Sequence, residues 1–190
     1  MAGADEAGRG AWAGPVVAAA VILPPDQARL APLSGSVDDS KLLAPRVRER
    51  LFAAIRVCAL AVGVGSASAA EIDTLGIAPA NRLALRRAVE ALVRRPDFLL
   101  LDFLTLPDLP LPQRGVPHGD AISLTIAAAS IIAKVTRDHW MAGQDDLYPD
   151  YGFARHKGYG TAMHQVALDQ RGPCPLHRRS FAPVAKMAFR

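Results

Sequence analysis

The chain has 190 residues, 51% of them apolar and 21% charged, with a net charge of +4. That length suits one sizeable core rather than two, and the composition excludes a disordered chain. No apolar run reaches the ~18 residues needed to cross a bilayer, and the N-terminus lacks a secretory-signal pattern. Cys58 and Cys174 stand far apart, without metal-type spacing. A soluble cytoplasmic protein with two free thiols is expected.

Residues 2–6 form the first predicted strand, running into the turn Gly8-Arg9-Gly10. The β-branched run 16–23 is the second, closed by Pro24-Pro25, and the two should pair as a hairpin. Ser40 as a cap and Pro45 in the first turn predict a helix over 46–57. Residues 59–66 read as a third strand. A helical region opens at Ala69 and runs to about Arg94, its apolar positions Leu83, Ala84, Ala88, Val89 and Leu92 recurring at three and four, until Pro96 ends it. Residues 98–101 form a buried strand that delivers Asp102 at its C-terminal end, and the proline-rich stretch 106–117 reads as a loop with a short edge strand. A strong helix is predicted over 123–141, where the small residues Ala127, Ala128, Ala129 and Ser130 suggest close packing on the sheet. A last helix covers 161–170, ahead of a proline-rich tail. A hairpin followed by strands alternating with helices predicts an α/β fold with a mixed sheet. The expected organisation is one domain over 1–190, with a C-terminal helical extension from about residue 145.

Four acids stand out: Asp5 and Glu6 before the glycine-rich turn, Asp102 after an apolar run, and Asp120 ahead of a helix. Neighbouring side chains on a regular strand point to opposite faces. Asp5 and Glu6 can therefore share a site only if the strand ends there and Gly8 and Gly10 let the backbone turn. Strand ends along one edge of an α/β sheet are where sites collect. Oxygen donors of this kind suit Mg²⁺ or Mn²⁺ better than zinc. Two such ions could activate a water and stabilise the leaving oxygen of a phosphoryl displacement. Without metal, the carboxylates would raise each other's pKa. Asp108, Asp138, Asp145 and Asp146 read as loop or helix-surface acids. Late in the chain, Arg155, His156, Lys157, His177, Arg178 and Arg179 cluster with Tyr148, Tyr151, Phe153 and Tyr159 interleaved. Basic groups neutralise phosphates and aromatics stack on sugars or bases, although a solvated basic tail would look the same.

The stretch Ala4-Asp5-Glu6-Ala7-Gly8-Arg9-Gly10, with Ala13-Gly14-Pro15-Val16-Val17 after it, resembles the opening of ribonuclease HII. The resemblance continues through Asp39-Ser40-Lys41, Ile72-Asp73, Leu101-Asp102, Gly119-Asp120 and the helical block from Ile126 to Asp138. It ends in His156-Lys157-Gly158-Tyr159-Gly160-Thr161 and His177-Arg178-Arg179-Ser180-Phe181, so ordered blocks span nearly the whole chain. This resemblance implies a ribonuclease H-like fold with a five-stranded mixed sheet flanked by helices. It also implies endonucleolytic cleavage of RNA in RNA–DNA hybrids, and incision 5′ of a single ribonucleotide in duplex DNA to leave a 3′-hydroxyl and a 5′-phosphate. Roles in ribonucleotide and RNA-primer removal follow.

By the same resemblance, Asp5, Glu6, Asp102 and Asp120 are the catalytic acids and bind two Mg²⁺ or Mn²⁺ ions, with Asp5 bridging them. Gly8, Arg9 and Gly10 hold the ribonucleotide, their amides near the 2′-hydroxyl that tells RNA from DNA. Tyr159 packs against the sugar at the RNA–DNA junction. Ser40, Lys41, Lys134, Arg137, His156 and Lys157 are further substrate contacts, with capping or pairing within the helix as the alternative for Lys134 and Arg137. The chain departs from the family at Leu42, where a second lysine is usual, and at Thr74-Leu75-Gly76. Arg9 separates it from ribonuclease HIII, which usually carries lysine there. The partners implied are hybrid duplexes and DNA containing ribonucleotides, bound by a monomer; the sequence gives no support for a replication-clamp partner.

Overall fold

The computed structural model describes residues 1–33 and 43–189. In chain order its elements are β1 (Ala2–Ala7), β2 (Val16–Ile22), α1 (Gln27–Leu30), α2 (Pro45–Cys58), β3 (Ala61–Ala67), α3 (Ala69–Leu75) and α4 (Ile77–Glu90). They continue with β4 (Leu99–Asp102), β5 (Gln113–Val116), α5 (Gly119–Ile122), α6 (Leu124–Ala142), α7 (Phe153–His156), α8 (Ala162–Arg171) and α9 (Ala182–Ala185). The five strands form one mixed sheet in the order β3-β2-β1-β4-β5. The β1–β2 and β2–β3 pairs are antiparallel, while β4 joins β1, and β5 joins β4, in parallel. The predicted hairpin and the short edge strand are both present.

Helices cover both faces because the strands are apolar on both sides. On one face Ala2, Ala4, Val16, Ala18 and Ala20 pack with Ala84, Leu85 and Ala88 of α4. On the other, Ala19 and Val21 meet Leu51 and Ile55 of α2 and Ala129, Ile132 and Ala133 of α6. The close approach of α6 depends on Gly3, since a β-carbon there would run into the backbone of Thr125 and Ile126. A third cluster, built on Met141, Tyr151, Phe153, Ala167 and Cys174, joins the C-terminal helices to Ala13 and the end of α6. Both cysteines are free and buried. Among the described residues, no helix is long and apolar enough to cross a membrane.

Two expectations are corrected. The helical region from Ala69 is two helices, broken at Gly76, whose φ of 82° and ψ of 158° close α3 and open α4. That backbone region is essentially open only to glycine. The helix at Pro45 is capped by the backbone of Ala44, with no side-chain cap bond. Ser40 and Lys41 lie outside the described residues.

Candidate active site

Strand β1 does not end at the acids. Asp5 pairs with Ala19 and Glu6 with Ala18, and pairing with β2 runs on to Ala7. By register the two side chains leave opposite faces; the strand ends one residue later than expected, at Ala7, and the glycine turn follows with Gly8 at φ 89°. What opens the site is the other edge of the strand. Pairing of β1 with β4 stops at Ala4 and Leu101, and the next residues on the two strands are Asp5 and Asp102. Beyond that point β1 and β4 no longer pair, and a cavity of about 630 Å³ is lined there by Asp5, Glu6 and Asp102.

Asp120 does not line this cavity. It is buried on α5, and the preceding Gly119 donates its backbone N–H to Asp102 Oδ1 at 2.8 Å, which ties α5 to the end of β4. Asp5 is the most enclosed of the acids in the cavity wall, at 4% exposure. Its Oδ1 accepts from the Glu6 amide at 2.7 Å, while its Oδ2 is buried with no hydrogen-bond partner. Burial, then repulsion from Glu6 with a smaller push from Asp102, raises the Asp5 carboxyl to about 7; the Ser130 hydroxyl and the Glu6 amide oppose the shift. An unpartnered buried carboxylate oxygen is costly unless a cation completes it. Among the described residues, no three carboxylates, imidazoles or thiols converge into a ready-made metal cage. An open set of oxygen donors of this kind fits a hard divalent ion that keeps waters and takes substrate oxygens.

The rest of the cavity wall is the loop after β1, with Gly8, Arg9 and Gly10, faced by Arg48, Ser130, Lys134 and Tyr159. Two buried arginines hold this loop. Arg178 donates to the carbonyls of Gly8 (2.7 Å), Arg9 (2.8 Å) and Gly14 (3.0 Å). Arg137 donates to those of Pro15 (2.8 Å), Ala13 (3.0 Å) and Lys157 (2.9 Å). In a trans peptide the carbonyl and the next N–H point in opposite directions. Pinning the Gly8 and Arg9 carbonyls onto Arg178 therefore turns the amides of Arg9 and Gly10 away from the guanidinium, free to meet a ligand. Gly8 has φ 89°, and any side chain there would collide with Arg137. Burial lowers both guanidinium pKa values, and the neighbouring Arg137 cation helps bring Arg178 down to about 9.

Arg137 is thus an internal strut rather than a surface contact: it is fully buried, and every nitrogen of its guanidinium serves a backbone carbonyl. His156 is internal too, donating through Nε2 to the Tyr151 carbonyl at 2.7 Å and accepting the Gly158 amide at Nδ1, 3.1 Å away. Lys157 is half-buried in a left-handed turn, its ammonium on the Ala154 carbonyl at 2.5 Å. Lys134 does face the cavity, paired with Asp138 at 2.8 Å. Its ammonium and the Arg137 guanidinium lie 5.2 and 5.1 Å from the centre of the Tyr159 ring, within cation–π range.

Behind Tyr159 runs a chain of buried imidazoles. The Cys174 amide donates to His177 Nδ1 at 3.0 Å, so the His177 proton sits on Nε2 and points at His164 Nε2, 3.0 Å away. His164 then carries its own proton on Nδ1 and gives it to the Tyr159 carbonyl at 3.0 Å. Arg178 and these histidines are the functional supports that sequence reading missed. The basic cluster at 177–179 was visible, but nothing in residue order separates a buried arginine from a solvated one.

The family model for ribonuclease HII matches residues 2–184. A ribonuclease HII from Dehalococcoides mccartyi is 55% identical, over 98% of this chain and 88% of that protein. The crystal structure of ribonuclease H2 from Pyrococcus horikoshii superimposes with a TM-score of 0.78 at 26% identity, covering 98% of this chain and 95% of that one. The RNase HII of Archaeoglobus fulgidus, solved in complex with PCNA, gives a TM-score of 0.74 at 26% identity, over 94% and 92% of the two chains. With the match running almost end to end, the chain belongs to the ribonuclease HII family, hydrolytic endonucleases that cut the RNA strand of RNA–DNA hybrids.

Proposed function

We propose that this chain cuts 5′ of single ribonucleotides embedded in duplex DNA as well as within longer hybrids, by a two-metal mechanism in Mg²⁺ or Mn²⁺. The observation that carries the reading is the buried, unpartnered Oδ2 of Asp5 in the wall of a cavity that also displays Gly8, Arg9 and Gly10. Asp5, Glu6, Asp102 and Asp120 would hold the ions. When bound, the ions supply a nucleophilic water at neutral pH and neutralise charge on the leaving oxygen.

The protein's own part is recognition and alignment. The Arg9 and Gly10 amides, aimed by Arg178, meet the 2′-hydroxyl and so select ribose. The Arg9 side chain is exposed beside the cavity and takes a backbone phosphate. Tyr159, within cation–π range of Lys134 and Arg137 and tied through its carbonyl to His164, packs on the sugar at the RNA–DNA junction. Lys134 adds a phosphate contact, with Lys157 nearby. Removal of ribonucleotides from DNA and of RNA primers follows from this specificity. Since the Archaeoglobus fulgidus enzyme was solved with PCNA, co-elution with a sliding clamp tests whether this chain shares that partner.

The deciding experiment maps the cut on a duplex bearing one ribonucleotide, with Mg²⁺ and Mn²⁺ in parallel. A single cut 5′ of the ribonucleotide is expected, lost in Asp120→Asn with duplex binding retained. Cleavage elsewhere, or full activity in Asp120→Asn, overturns the reading.

A further inference from the structure

We infer that Phe103 is an aromatic platform for the nucleoside on the 5′ side of the cut, across the acids from the ribose-sensing loop; this rests on the function proposed above. Phe103 directly follows Asp102 and is 76% exposed. Single exposed apolar residues are common, so exposure alone carries nothing. The backbone is what marks this one. Leu104 N–H donates to the Asp102 carbonyl at 2.7 Å, closing a three-residue γ-turn with Phe103 at its centre. Its φ is 63°, the sign of the rarer and more strained γ-turn form, and an outlier for a bulky side chain.

The neighbouring strand is fitted to this turn. Phe103 N–H donates to the Val116 carbonyl at 2.9 Å. On β5 a β-carbon at Gly115 would sit 2.6 Å from the Phe103 carbonyl oxygen and 2.8 Å from that of Leu104. The fold thus holds a costly conformation at a residue that is three-quarters exposed, at 76%. Strain of this kind persists where it serves a site.

Position then names the ligand. The strand order places β4 on the side of β1 away from β2, so Asp102 and Phe103 lie across from the loop that continues β1. The cavity includes Asp102 and Tyr159 but stops short of Phe103. A strand running past Tyr159, the loop and the acids would reach Phe103 next. With ribose read on the 3′ side of the scissile phosphate, Phe103 meets the nucleotide on the 5′ side. A neutral ring beside carboxylates suits a sugar or base face rather than a phosphate.

The test uses a duplex with one ribonucleotide and 2-aminopurine placed either 5′ or 3′ of it, bound in EDTA and cut in Mg²⁺. Phe103→Gly removes the ring and relieves the positive φ, so it should melt at or above the wild-type temperature. It should bind the duplex about tenfold more weakly, with a raised KM. Binding should change the 5′ probe's fluorescence in wild type and in Phe103→Trp but not in Phe103→Gly, while the 3′ probe behaves alike in all three. Wild-type affinity in Phe103→Gly, an unaltered 5′ signal, or a lower melting temperature in that variant overturns the inference. If the wild-type enzyme itself fails to cut beside the ribonucleotide, it is the proposed function that falls.

Discussion

Single side chains decide whether this site works, and the two that matter most are buried for opposite reasons. Arg178 is enclosed because it serves three carbonyls of the glycine loop, and a lysine there could not span them. Arg178→Lys should therefore cost about 2–4 kcal/mol of stability, since buried carbonyls lose their donors. Cleavage beside a ribonucleotide should fall at least tenfold. The exposed neighbour Arg179→Lys should change neither quantity, and chemical denaturation with cleavage kinetics on the three proteins checks this. Asp5 is enclosed without a partner for Oδ2, so its charge destabilises the metal-free fold. Asp5→Asn should melt above the wild type in EDTA and cut nothing. Added Mg²⁺ or Mn²⁺ should raise the wild-type melting temperature, as any ligand of the native state does, and leave the variant nearly unmoved. Equal shifts in both proteins would remove Asp5 from the metal site.

At the scale of elements, local chemistry was legible wherever a strand or helix stood on its own pattern. The β-branched run that became β2, the apolar run ending in Asp102 and the small-residue face of α6 all declared themselves. What failed were places where one residue redirects the chain. Gly76 sits inside a continuous helical periodicity, and propensity alone does not say that it takes a positive φ. A β-carbon at Gly76 would meet nothing nearer than Pro79 Cδ at 4.0 Å, so Gly76→Ala isolates backbone strain from packing. It should lose about 1–3 kcal/mol in urea denaturation and leave the cleavage site unchanged. The acids show the same limit. Their residue types and order pointed to a metal site, but their convergence was expected from a strand end at Glu6 and a turn through Gly8 and Gly10. The structure instead ends the pairing of β1 with β4 just before Asp5 and Asp102. Register between strands distant in sequence is a tertiary property, and so is the burial that makes Arg137 and His156 struts instead of contacts.

Across the whole molecule, the C-terminal helices join the catalytic sheet through groups that must stay neutral. Burial, opposed by the Tyr159 carbonyl and reinforced by its imidazole neighbours, brings His164 down to about 4. Burial likewise brings His177 to about 4, and lowers His156. In the unfolded chain these imidazoles titrate near 6.5, so between about 6.5 and 4 the unfolded state binds more protons. The stability they contribute is complete above pH 6.5 and is lost as pH falls toward 4, by up to about 1.4 kcal/mol per pH unit for each proton. The geometry supplies the mechanism: a proton on His164 Nε2 would face the N–H of His177 across 3.0 Å, donor against donor. Asp5 works in the opposite direction over an overlapping range, because its raised pKa makes the folded state gain protons as pH falls. The comparison is therefore made in an Asp5→Asn background. Melting temperatures from pH 7 to 5 should fall steeply there, and His177→Gln should flatten the slope while lowering stability at pH 7. If the slope survives His177→Gln intact, the acid sensitivity lies elsewhere and the imidazole chain only fills space behind Tyr159.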